Sequence, residues 1–166
     1  MKTPLKPGRP APGTWPASSP PAALIDLLNA LLESQQNSII RFMGESSPYL
    51  GGAPPGVRQL LAQMLKDNLK RSQDLYRLIE RLGGSPRPRG LQPEEQYLSY
   101  LSLKFLLPKI VDAKELIIRR YENALLALQN GQALQNAPAD VFEMLQQQLA
   151  EHRKELENLR AGTAAR

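Results

Sequence analysis

Five positions place polar side chains where the spacing asks for apolar ones. Val57, Leu61, Met64, Leu75, Leu78 and Leu82 recur at alternating threes and fours, which marks one face of a helix. Carried through the stretch "KDNLKRSQDL", the same rhythm lands on Asn68 and Arg71. Gln35 interrupts Leu24, Leu28, Leu31, Ser38 and Phe42 in this way. Lys114 interrupts Ile110, Ile117, Tyr121, Ala124 and Leu128, and His152 interrupts Phe142, Leu145, Leu149, Leu156 and Leu159. Two carboxamides, a guanidinium, an ammonium and an imidazole on inward faces can hydrogen-bond one another and trapped water as a structural layer. They can also form a small-anion pocket from Arg71, Lys114 and a protonated His152. Glu33, Asp74, Glu115 and Glu151 lie beside these positions in sequence and are candidate counter-ions, while Lys114 can snorkel its ammonium outward. With a single His and no Cys, no thiol nucleophile or His-based triad is nominated, and no phosphate-binding Gly loop, nucleophile elbow or H-E-x-x-H motif occurs. No catalytic residue is therefore expected.

The elements that must position these groups are long helices. The first is expected to start at Ser19 as N-cap, with Pro20 at the first helical position, and to close at Gly44 and the run SSPYLGGAPPG. The second spans Pro55 to Leu82, with Gly83, Gly84 and Pro86 as a stop. The connector SPRPRGLQP leads to a third helical region from Pro93 to Asn130 that Pro108 interrupts, "FLLPKI" being read as a buried turn. Arg87 and Arg89 in that connector can meet an acidic surface or sit on a solvated, Pro-stiffened crossing. The fourth helix opens near Asn136 to Pro138 and ends near Gly162. If the polar interruptions share one level, Arg71 stands roughly 17 Å from the end of its helix and Pro93 roughly 31 Å before Lys114. A simple hairpin does not reconcile these lengths. They fit if residues 83 to about 105 cross back along the bundle and the core part of the third helix starts near Pro108. The expected fold is all-α, a four-helix bundle with one long crossover between the second and third helices.

Four segments in order then resemble the ferritin-like superfamily, close in pattern to bacterioferritin-, rubrerythrin- and Dps-like members. They are "LNALLESQQNSIIRF" (Leu28–Phe42), "KRSQDLYRLIERLGGSP" (Lys70–Pro86), "KELIIRRYENAL" (Lys114–Leu125) and "LAEHRKEL" (Leu149–Leu156), and the likeness covers roughly residues 22 to 160. The resemblance implies a dinuclear iron or manganese site built from a Glu on each of two helices and a Glu-x-x-His pair on each of the others. Mapped residue by residue, the positions of those ligands hold Gln35, Asn68, Arg71, Lys114, Leu149 and His152, so only the His survives. Two fixed cations where metal ions would sit cost several kcal/mol each to bury, and they repel a divalent ion. The expectation is a lost metal site, with no metal and no cofactor. The alternatives are an iron- or manganese-binding oxidase or storage protein using the nearby carboxylates in a shifted register, or a small-anion binder at Arg71 and Lys114.

Bulk properties agree with a helical domain. The chain has 166 residues, 5% aromatic and rich in Leu, Ala, Gln, Glu, Lys and Arg, which favours helices over a sandwich or barrel. Residues 1–18 form a Pro-rich arm expected to be disordered, with Trp15 its one candidate anchor; residues 19–162 form the bundle and 163–166 a tail. The first twenty residues lack the apolar run of a secretion signal, and no stretch approaches the ~20 apolar residues of a membrane span. A soluble, cytoplasmic protein is expected. The net charge of +5 permits an acidic partner or nucleic acid without arguing for either, and no nucleic-acid-binding motif is present. The expected role is structural or in protein interaction, with self-association as a homodimer or larger assembly, or with another protein.

Overall fold

Alternating threes and fours become helices throughout the described chain. The computed structural model describes residues 22–46, 53–88, 101–131 and 137–164. Its elements there are α1 (Ala22–Gln36), α2 (Ile39–Ser46), α3 (Pro55–Arg81), α4 (Leu103–Asn130) and α5 (Ala139–Ala164), with no strand among the described residues. The arm and Trp15, the cap at Ser19 and Pro20, most of the SSPYLGGAPPG run, Arg89, Pro93 and Asn136 lie outside the described residues.

The helix ends follow their residues. Pro55 sits at the first position of α3, where its missing N–H would have no partner in any case. At the other end Gly83 adopts φ 79, Gly83 N–H donates to Glu80 O at 2.9 Å and Gly84 N–H to Ile79 O at 2.9 Å. That pair of bonds around a left-handed glycine is the Schellman stop that Gly83 and Gly84 announce in the sequence. Gly84 lies against α1 so closely that a Cβ there would stand 2.6 Å from Ile25 Cδ1. α5 runs two residues past Gly162, the expected stop, to Ala164.

Two expectations need correction. The first helix is not continuous to Phe42: it breaks at Asn37 and Ser38 and restarts as α2. Ser38 Oγ accepts the Ile40 N–H at 3.1 Å, and Ser38 O accepts the Arg41 N–H at 2.9 Å, so the serine caps a new helix instead of extending the old one. α2 then passes through Gly44 to Ser46. "FLLPKI" is helix, not turn, since α4 begins at Leu103 and contains Pro108. Pro108 is exposed and removes one N–H near the start of α4, too little to end it.

α1 packs against α3 and α4, α5 packs against the same two, and α2 closes one end against α3 and α4. The apolar side chains gather into two clusters. One joins α1 to the C-terminal halves of α3 and α4 and to α5 through residues such as Leu28, Leu75, Tyr121 and Leu145. The other joins α2 to the N-terminal halves of α3 and α4 and to Leu159, through Phe42, Leu61, Met64, Leu106 and Ile110. α3 and α4 therefore run in the same direction, with α1 and α5 opposed to them. Between Leu82 and Leu103 the chain changes ends.

A buried charged layer as candidate functional site

The level between the two apolar clusters is polar. α1 contributes Gln35 from its last turn, and α3 contributes Asn68 and Arg71, one turn apart. α4 contributes Lys114 and Tyr121, two turns apart, while α5 contributes Gln148, His152 and Glu155, stepping by four and three along one face. Gln35, Asn68 and His152 are 0% exposed, and Arg71 and Lys114 1%.

Glu155 is the centre of the charge. Arg71 Nη2 donates to Glu155 Oε1 at 2.8 Å and to Oε2 at 3.1 Å, and Lys114 Nζ donates to Oε2 at 2.5 Å. Arg71 Nη1 also reaches Glu151 Oε2 at 3.3 Å, at the edge of the layer where the Glu151 side chain is 39% exposed. The Lys114 Nζ stands 3.2 Å from His152 Nδ1. On the far side of the ring, His152 Nε2 lies 2.6 Å from the Gln35 amide nitrogen, and that nitrogen lies 2.9 Å from the Tyr121 hydroxyl. Tyr121 donates to Gln148 Oε1 at 2.6 Å and meets the His152 ring edge-on at 5.2 Å. Asn68 Nδ2 lies 2.8 Å from Gln35 Oε1, while Asn68 Oδ1 and Arg71 Nε are buried with no protein partner.

Burial lowers the affinity of the His152 ring for a proton, and the charges of Lys114 and Arg71 add to this, so its pKa falls to about 3. The ring is neutral and carries one N–H. A charged Lys114 donates to Nδ1, which places that proton on Nε2; a ring proton on Nδ1 goes instead with a neutral Lys114 and with the Gln35 amide donating to Nε2. Burial also pushes the Lys114 pKa down, against the pull of Glu155. For Glu155, burial acts upward but is outweighed by contact with His152 and by Lys114 and Arg71, which hold its carboxyl at about 2. The two cations carry that effect, because His152 Nδ1 stands 3.8 Å from Glu155 Oε2. Burial raises the Tyr121 hydroxyl well above its ordinary value.

The structure brings Gln35, Asn68, Arg71, Lys114 and His152 together. Leu149, an apolar residue one turn before His152, is buried in the cluster of Leu145 and Leu156, and its neighbour Gln148 supplies the polar contact to Tyr121. Of the four candidate counter-ions, Glu151 alone pairs with a layer cation. Glu115 turns to the surface and binds Arg160 at 2.5 Å, Glu33 is on the exposed side of α1, and Asp74 borders a surface depression with Arg77 and Arg81. The principal counter-ion is Glu155, which is not among the residues expected from the sequence. The apolar stripe steps by four from His152 to Leu156; a step of three lands on Glu155, and a step of four backward on Gln148. Lys114 does not snorkel.

The anion that Arg71 and Lys114 could have bound is already supplied by the Glu155 carboxylate. The donor set does not fit a dinuclear centre either. Among the described residues no three His, Asp or Glu side chains converge, and an ammonium and a guanidinium hold the one carboxylate beside the imidazole. Among the described residues, no helix is long and apolar enough to cross a membrane. No protein-family model, curated protein or solved structure matches the chain.

Proposed function

We propose that this chain is a non-catalytic, ferritin-like four-helix bundle in which a charged and carboxamide layer stands where a dinuclear metal site would lie, and that it serves a structural or protein-interaction role. The observation that carries the reading is the capture of Glu155 by both Arg71 and Lys114, with Lys114 Nζ also against His152. A ligand set for iron needs several carboxylates free to bind and bridge; among the described residues the one buried carboxylate is neutralised from two sides. The parallel run of α3 and α4, with the change of ends between Leu82 and Leu103, supports the ferritin-like topology. Self-association is part of the proposal, and sizing by light scattering tests it: a large closed assembly would favour a storage role instead. Metal analysis of protein grown with added iron and manganese, together with a ferrous-oxidation assay, tests the central claim. Sub-stoichiometric metal and no oxidation are expected. Two metal ions per chain would overturn it.

A further inference from the structure

We infer that the outer shoulder of α3 is a docking surface for an acidic amphipathic helix of a partner protein. The inference goes beyond the reading above, because it stands on the surface of α3 whatever the polar layer does. Leu65, Leu69, Ser72 and Tyr76 step by four, three and four, a second stripe set about 100° around the helix from the buried one. Leu69 is 48% exposed and Tyr76 38%. With Gln36, Arg41, Ser72 and Gln73 they line a notch of about 270 Å³ beside the break between α1 and α2.

A row of exposed cations, Lys66, Lys70 and Arg77, runs alongside this stripe. Among the described residues no carboxylate lies within ion-pair distance of any of the three, although Arg71, Arg81, Arg87, Lys114, Arg119, Arg153 and Arg160 all have one.

Charge decides the occupant. In an antiparallel pair made by a second copy, like flanks of the two α3 helices meet, so the cation rows would face each other and repel. A flat lipid surface does not enter a recess between helices, and a nucleic acid has no group that gains from covering Leu69. A helix with apolar residues at i, i+4, i+7 and i+11 lays them along Leu65 to Tyr76, and glutamates on its flank reach Lys66, Lys70 and Arg77.

Fluorescence anisotropy of the full chain with two designed helical peptides tests this. The peptides share one leucine stripe and differ in carrying glutamate or lysine flanks. The glutamate peptide is expected to bind, more weakly as salt rises. Leu69→Ala should weaken it by roughly tenfold, and Lys66→Glu with Lys70→Glu should reverse the preference between the peptides; circular dichroism establishes that these surface variants keep their fold. Equal binding of the two peptides, or unchanged affinity in Leu69→Ala, would overturn the inference. So would a dimer that Leu69→Glu dissociates, or binding to phosphatidylserine vesicles that the same variant abolishes.

Discussion

Replacing Glu155 by Gln removes one charge from the layer, leaving Lys114 with no carboxylate and Arg71 with the part-exposed Glu151 alone. The Gln oxygen can accept from one cation while its NH2 faces the other, where the carboxylate accepted from Arg71 at 2.8 and 3.1 Å and from Lys114 at 2.5 Å; both cations are 1% exposed. Removing one partner from such a buried group costs about 3–5 kcal/mol, a large share of the roughly 5–15 kcal/mol that holds a domain folded. For a chain of this size the melting temperature should fall by roughly 6–20 °C. Lys114 has an escape, because it can shed its proton. Its pKa is already lowered in the parent protein and falls further once Glu155 is neutral. The unfolded chain then binds more protons than the folded one below the ordinary lysine range, so the variant's stability should rise with pH by up to about 1.4 kcal/mol per unit. Urea unfolding at pH 6, 7.5 and 9 reads both effects. Arg71→Leu should cost less, because it leaves Lys114 and Glu155 as a neutral pair. Exchanging Arg71, Lys114 and Glu155 together for Leu, Met and Leu should be neutral or stabilising by about 1–4 kcal/mol. A loss below about 1 kcal/mol in Glu155→Gln, with the same pH profile as the parent, would refute the account of Glu155 as the anchor of two buried cations.

Acid should destabilise the parent protein in two overlapping windows. The unfolded chain protonates His152 near 6.5 while the folded ring resists to about 3, so stability falls as pH drops through that range; Glu155, held at about 2 against an ordinary 4.5, adds its loss between those values. Urea titrations should show His152→Gln flattening the profile between pH 6.5 and 4.5, and an unchanged slope would contradict the assignment. In 15N-resolved NMR, His152 should carry its proton on Nε2, and a proton on Nδ1 would mean that Lys114 is the neutral partner. Gly84→Ala should cost about 1–3 kcal/mol in thermal unfolding, since its Cβ would lie 2.6–2.9 Å from three carbons of Ile25; the same change made in an Ile25→Ala background should cost less.

The polar layer was legible because helical periodicity assigns a face to every residue without regard to its type. Gln35, Asn68, Arg71, Lys114 and His152 each fell on an inward stripe, and each is buried. Glu155 escaped because Leu156, its neighbour, fits the same stripe and satisfies the expectation of an apolar side chain there. Periodicity alone cannot separate two adjacent residues at the margin of a buried face, and both are in fact buried. The break at Asn37 and Ser38 was hidden for a related reason: Gln35 before it, Ser38 within it and Phe42 after it all face inward, so the pattern survives a change of helix. Pro108 misled in the opposite sense. A missing N–H on an exposed face is a local loss, and the apolar residues around it, Leu106, Leu107 and Ile110, still have a core to join. Val141 rather than Phe142 is the fully buried residue at the start of α5, a one-position shift of the kind that helix starts commonly show.

Leucine-lined faces are forgiving along the helix axis, since one methyl cluster substitutes for another after a slide of one turn, about 5.4 Å. The ring around Glu155 removes that freedom. If α5 slipped by one turn, its carboxylate would leave Arg71 and Lys114 stranded and would itself enter hydrocarbon, a penalty that no repacking of leucines could offset. The costly ions thus act as a longitudinal lock, setting the height of α3, α4 and α5 against one another where oily surfaces alone would leave several alignments nearly equal.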